Sequence, residues 1–172
     1  MDALVVYESM FGNTEEIAKA IAEGLSTRLR TEVAEAGRAP GAVGAEVGLL
    51  VVGGPTHAFA MSRASTRRSA AQQATRPLVS AGNGVREWLA TLRTSSAGLR
   101  SAAFDTRVAK PRMPGSAARG IARRLRRLGV RVVAPAQSFY ITGTEGPLVE
   151  GELERARKWG ESLAASFPVT TA

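Results

Sequence analysis

Residues Val5 to Thr14, reading Val-Val-Tyr-Glu-Ser-Met-Phe-Gly-Asn-Thr, constrain this chain more than any other stretch. The apolar run from Ala3 to Tyr7 is continuous rather than alternating, the pattern of a strand buried on both faces. It stops at a small polar loop, and directly behind it Ile17, Ala18, Ile21, Ala22, Leu25 and Leu29 recur at helical spacing. Strand, tight loop and helix in immediate succession bring the free N–H groups of Phe11, Gly12, Asn13 and Thr14 to the positive end of a helix dipole. A phosphate dianion is stabilised there. The hydroxyls of Ser9 and Thr14 add donors, and Gly12 lets the backbone approach a ligand without a Cβ in the way. The plainer alternative is a strand-to-helix turn in which Asn13 or Thr14 only caps the helix. The loop lacks both the Gly-Lys-Ser/Thr ending of an NTPase loop and the three spaced glycines of a dinucleotide fingerprint. With no lysine in or beside it, it suits a terminal monophosphate held mainly by neutral donors.

Beyond this unit, strand-like and helix-like segments alternate. Thr31 to Ala36 and Gly48 to Val52 read as the second and third strands, with a loop at Gly37 to Gly44 between them. Arg86 to Leu92 reads as a helix after the Asn83-Gly84 break, Gly98 to Phe104 as the fourth strand, Ser116 to Leu128 as a helix and Val130 to Ala134 as the fifth strand. Glu150 to Ser166 closes as a helix with Leu153, Ala156, Trp159, Gly160 and Leu163 on one face. Strands separated by helices imply parallel pairing through right-handed crossovers. Ala60 to Gly82 has no sustained strand period; it holds a helical piece around Ser69 to Ala74 and is either an ordered flap or a mobile insertion. Glu150, Glu152 and Glu154 suit the dipole at a helix start and read as structural.

A chain of 172 residues is expected to form a single domain, residues 1–172, with a substantial core. The absence of cysteine excludes disulfides, thiolate metal sites and cysteine nucleophiles. No apolar run approaches the roughly 20 residues needed to cross a bilayer, and the N-terminus enters a strand with no basic leader segment, so a cytoplasmic setting is expected.

Ser9-Met10-Phe11-Gly12-Asn13-Thr14 behind Val-Val-Tyr resembles the flavodoxin phosphate loop, Ser/Thr-x-Thr-Gly-Asn-Thr after a short hydrophobic strand. Val47 to Gly54 resembles the third strand of that fold, running into Pro55-Thr56-His57-Ala58-Phe59 where the family places its first flavin-ring loop. Ala102-Ala103-Phe104-Asp105-Thr106, followed by Arg107, resembles the end of the fourth strand and the second ring loop. The resemblance implies an α/β fold: a three-layer α/β/α sandwich around a five-stranded parallel sheet of order 2-1-3-4-5. It also implies FMN as a non-covalent cofactor, held by these three loops in the crevice at the topological switch point. Phe59 and His57 are the expected ring neighbours, against the plainer readings of Phe59 packed under its own loop and His57 solvated. Phe104 reads as core rather than cofactor-facing, and Asp105 as a turn cap rather than an acceptor for the cofactor. The chain departs from the many flavodoxins with a tryptophan in the first ring loop and a tyrosine in the second. Arg107, facing the ring, would stabilise an anionic reduced flavin and raise its potential. Three functions follow from the resemblance: an electron carrier with protein partners, an oxidoreductase acting directly on a quinone-like or porphyrinogen substrate, and a binding or regulatory module that keeps the fold without FMN.

The net charge of +8 contrasts with the acidic surface of flavodoxin carriers. Between Arg100 and Arg131, Arg100, Arg107, Lys110, Arg112, Arg119, Arg123, Arg124, Arg126, Arg127 and Arg131 are opposed only by Asp105. On the fourth-helix segment Ile121, Leu125 and Leu128 take one side and the arginines the rest, giving a basic stripe. It reads as a solvated face in an arginine-preferring protein, or as a surface for an acidic redox partner protein or for peripheral contact with an anionic membrane. No recognised nucleic-acid module accompanies it, and specific nucleic-acid binding is not expected.

Overall fold

A computed structural model describes residues 1–95 and 97–168. The elements in chain order are β1 (Asp2–Tyr7), α1 (Asn13–Leu25), β2 (Arg30–Glu35), β3 (Ala42–Val43), β4 (Val47–His57), β5 (Ala60–Met61) and α2 (Ala64–Gln73). There follow α3 (Val85–Thr91), β6 (Arg93–Thr94), β7 (Arg100–Val108), α4 (Ala117–Arg127), β8 (Arg131–Val132), β9 (Gln137–Ile141) and α5 (Glu152–Ala164). β1 pairs in parallel with β2 and β4, and β4 in parallel with β7. β8 lies beside Arg100 and Ser101 and β9 beside Phe104 to Val108, so the two are halves of one fifth strand on the far side of β7. The main sheet is therefore five strands wide in the expected order 2-1-3-4-5.

The continuous apolar runs divide by parity, because successive strand residues face opposite sides. Ala3, Val5, Leu49, Val51, Ala102 and Phe104 join α1 and α5 in one core. Leu4, Val6, Leu50, Val52 and Ala103 join α3 and α4 in the other, which completes three layers. In the first core the rings of Phe104, Phe139 and Trp159 meet edge to face at 6.0 to 6.4 Å between centroids.

Several boundaries differ from the sequence reading. β4 continues to His57, past Gly53 and Gly54 where the pattern fades, and β7 continues to Val108. Gly53 stays inside β4 because the Phe104 ring occupies the space a Cβ would need. The fifth strand is not Val130 to Ala134: it breaks after Val132 and resumes at Gln137, with Pro135, which cannot donate to a ladder, in the gap. The Gly37 to Gly44 loop contains β3, which pairs with β6 in a separate two-stranded sheet. No helix among the described residues is long and apolar enough to cross a membrane.

α1 and α5 cross closely enough that a methyl on Gly24 would strike the Arg157 carbonyl oxygen and one on Gly160 the Ile21 carbonyl oxygen. Helix propensity alone favours alanine over glycine by about 1 kcal/mol, whereas overpacking a tight interface costs about 1–3 kcal/mol. Packing wins at this crossing. Gly160→Ala is expected to lower the urea midpoint of unfolding, and a raised midpoint would show that the crossing is slack.

Candidate functional site

The loop after β1 has the expected geometry. Gly12 takes a left-handed conformation, φ +95°, directly before α1, and nothing lies within 4 Å of where its Cβ would stand. An alanine there would be strained even though space exists. Gly12 N–H donates to Ser9 Oγ at 3.0 Å, which closes the loop and leaves the Ser9 hydroxyl hydrogen free. Asn13 and Thr14 do not cap α1. Asn13 Nδ2 donates to the Glu145 carbonyl at 3.1 Å, and Thr14 Oγ1 shares a 2.7 Å hydrogen bond with Thr106 Oγ1. One hydroxyl of that buried pair retains a hydrogen to donate elsewhere. The first-turn N–H groups of Asn13, Thr14 and Glu15 have no intrahelical acceptors.

This loop opens into a cavity of about 330 Å³ at the C-terminal ends of the parallel strands. Ser9, Met10, Phe11, Asn13 and Thr14 meet there with Pro55, Thr56, His57 and Ala58 from the end of β4 and with Thr106 and Arg107 from β7. The three separate loops thus converge at the switch point between β1 and β4. Met10 is buried and contributes its backbone as well, accepting from Val79 N–H at 2.9 Å.

Three residues of the two implied ring loops do not line the cavity: Phe59, against expectation, and Phe104 and Asp105, which take the core and cap positions expected of them. Phe59 is half exposed and lines a different groove, because Ala58 and Phe59, both at positive φ (45° and 70°), form a two-residue turn between β4 and antiparallel β5. That turn swings the ring away from the cavity. Phe104 is fully buried in the aromatic cluster. Asp105 is also fully buried, and its Oδ2 accepts from Thr56 Oγ1 (2.9 Å), Ser116 Oγ (2.6 Å) and Ala118 N–H (3.1 Å), holding the start of α4 against β4. Arg107 reaches the cavity wall, but its guanidinium donates to the Met113 carbonyl.

The wall that sequence reading missed is α2. The segment Ala60 to Gly82 begins with β5 and continues into a helix that spans Ala64–Gln73 instead of Ser69 to Ala74. Thr66, Ser69, Ala70 and Gln73 face the cavity. Behind α2, Ser80 braces the phosphate-type loop twice, with its N–H donating to Ser9 O (2.8 Å) and its Oγ accepting from Ser9 N–H (3.0 Å). Arg76 Nη2 donates to Phe11 O at 2.8 Å, so one cation from a distant segment stands beside a loop expected to rely mainly on neutral donors. No local pattern signals these partners; the basic Arg76 in a polar stretch is the one sequence feature that could have drawn attention.

His57 Nδ1 lies 3.3 Å from Thr66 Oγ1, and burial first, then the neighbouring Arg67 charge, hold its pKa below the ordinary 6.5. The imidazole is therefore neutral at pH 7. The unfolded chain takes up a proton before the folded one as pH falls, so this group's contribution is whole above about pH 6.5 and is lost as pH drops through the folded value. The urea midpoint is expected to fall from pH 7 to pH 5, and less steeply in His57→Gln; equal slopes would remove His57 from the acid sensitivity.

No protein-family model matches the sequence, and no curated protein matches it. Solved structures match the whole fold. Oxidised flavodoxin 1 from Bacillus cereus superposes with a TM-score of 0.69 at 16% identity, over 98% of this chain and 100% of that one. Flavodoxin 2 from Bacillus cereus gives 0.68 at 19% identity, over 97% and 100%. A flavodoxin from the domain Archaea gives 0.63 at 20% identity, over 96% and 97%.

Proposed function

From a chain that has the flavodoxin fold, we propose a protein that binds FMN non-covalently and carries electrons between partner proteins. The observation that carries this reading is the convergence of the Ser9–Thr14 loop, the ends of β4 and β7 and the α2 flap on one cavity. The residues fit that cofactor. The unbonded N–H groups at the start of α1, with the Ser9 and Thr14 hydroxyls, suit a phosphate dianion. Arg76 adds positive charge at the loop edge through its bond to Phe11 O. Above the loop, Phe11, Pro55, Ala58 and Ala70 offer apolar surface, and Thr56, His57, Gln73 and Thr106 offer polar groups, a mixture suited to a planar ring with a polar edge.

FMN supplies the reversible gain and loss of electrons, and the chain's residues bind, orient and shield it. The neutral His57 ring presents an uncharged wall against α2. Arg107, tied to Met113 O, sets a positive charge at the rim of the cavity, where it favours negative charge inside. The net charge of +8 supports partners with acidic docking faces, drawn in by long-range attraction that weakens with salt.

The test is an FMN titration of the cofactor-free protein followed by flavin fluorescence, with Gly12→Asp and Thr14→Ala in parallel. Saturable binding is expected at one site. Gly12→Asp sets a carboxylate on a strained backbone against the phosphate, and Thr14→Ala removes a donor, so each is expected to weaken binding about tenfold or more, some 1.4 kcal/mol. Absence of saturable binding by the unsubstituted protein would overturn the proposal.

A further inference from the structure

A second, larger concavity of about 820 Å³ lies between the β4–β5 turn and α4. Among the described residues its lining carries seven arginines and no carboxylate. Arg63 comes from the residue before α2 and Arg86 from α3, while Arg119, Arg123, Arg124 and two more come from α4. Among the described residues none of the seven enters an ion pair. Arg86 and Arg124 are half-buried. The Met61 and Ser62 carbonyls hold Arg86 at 2.9 and 3.0 Å through Nη2 and Nε, and Nη1 has no acceptor among the described residues. Burial, together with the charges of Arg63, Arg124 and Arg67, pushes the Arg86 pKa down. Glu87, the neighbouring carboxylate, is already engaged by Arg67 at 2.7 Å. Like charges are thus crowded into a partly desolvated hollow, an arrangement that a bound anion relieves.

We propose that this groove binds a di- or triphosphate group, either free or carried by a nucleotide. Guanidinium forks match phosphate oxygens in pairs, which compact ammonium groups do not. The hollow is concave and partly floored by the small residues Gly120, Ala122 and Ala136, so a compact multivalent anion can descend between Arg86 and Arg124. The convex acidic face of a protein partner would meet mainly the exposed rim. Phe59, 49% exposed at the lip, offers a ring face on which a nucleobase can stack. The site is separate from the cavity assigned to FMN, and its occupancy does not depend on that cofactor.

Isothermal titration calorimetry with inorganic triphosphate and with ATP, at about 150 mM salt, tests the site and separates the two sources. Saturable one-to-one binding of triphosphate is expected. Arg124→Ala and the exposed Arg119→Ala are each expected to weaken it about tenfold, with partial recovery in Arg124→Lys; Arg119→Ala carries the test should Arg124→Ala fail to fold. Arg28→Ala, just beyond the C-terminal end of α1, is expected to bind as the unsubstituted protein does. Tighter binding of ATP, lost in Phe59→Ala while triphosphate binding persists, identifies a nucleotide; equal binding identifies free polyphosphate. The proposal is overturned by no saturation at millimolar triphosphate or by equal weakening in Arg28→Ala. It is overturned equally if vesicles of equal parts phosphatidylserine and phosphatidylcholine bind at Arg124 and Arg119 and triphosphate does not displace them.

Discussion

The burial of β1, β4 and β7 on both faces governs the rest of the molecule. Apolar side chains on alternate sides of one strand require cover on both sides, which helices α1 and α5 provide on one face and α3 and α4 on the other. Parallel strands joined by helical crossovers all end at the same edge of the sheet. The polar loops therefore gather there, and the core needs none of them. β4 shows the transition within a single strand: it is buried from Val47 to Gly54, then half-buried over Pro55 to His57, where it becomes cavity wall.

The flap that completes the cavity is held differently. α2 has no buried residue, so apolar burial contributes little to its position. It depends instead on Glu8, a buried carboxylate at the end of β1. Oε1 of Glu8 accepts from Val85 N–H at 2.8 Å, and Oε2 accepts from the Ser62 hydroxyl. Arg67 then links Ser62 Oγ (2.8 Å) to Glu87 (2.7 Å). Burial raises the Glu8 pKa, and the Ser62, Val85 and Arg67 contacts oppose that rise. In a low-dielectric setting a satisfied network of this kind rigidifies, whereas losing one member leaves another buried group unpaired. The flap and the loop following β1 are consequently ordered by one set of polar contacts, reinforced by the Ser80–Ser9 bonds.

These differences explain what was legible in the sequence. The Ser9–Thr14 loop was readable because its parts are adjacent: an apolar run, a glycine and a helical period lie within a few residues of one another. The sheet order and the two further loops came from resemblance, and periodicity alone does not contain them. Asn13–Glu145, Ser9–Ser80 and Thr14–Thr106 join residues 132, 71 and 92 positions apart, and no local pattern foretells such pairs. Phe59 was misplaced for a specific reason. Two-residue hairpin turns usually announce themselves as Asn-Gly or Asp-Gly, whereas this one is Ala58-Phe59, at a cost of about 1–2 kcal/mol for each left-handed residue. Asp105 was legible as a cap, though Ser116, the N-cap of its partner helix α4, lies eleven residues later.

Composition alone does not account for the bare arginines of α4. The comparison lies in the same chain, because α5 is also arginine-rich and is exposed along one side. There, Arg155 pairs with Glu152 at 2.6 Å and Arg157 with Glu154 at 2.7 Å, each three residues apart, and Arg157 also meets Glu161. Spacings of this kind stabilise a helix by about 0.2–0.5 kcal/mol per pair. On α4, Arg119, Arg123 and Arg127 stand at the four-residue interval of the Arg157–Glu161 pair with no carboxylate among them, so that interval is repulsive here. Arg124, Arg126 and Arg127 gain something from the negative end of the helix dipole, and Ser116, accepting from Arg119 N–H, caps the other end. Those local gains make the helix tolerable without neutralising its side. An arginine-preferring composition predicts the residue type on both helices; it does not predict that one helix carries its counter-charges and the other, facing a concave groove, leaves them out.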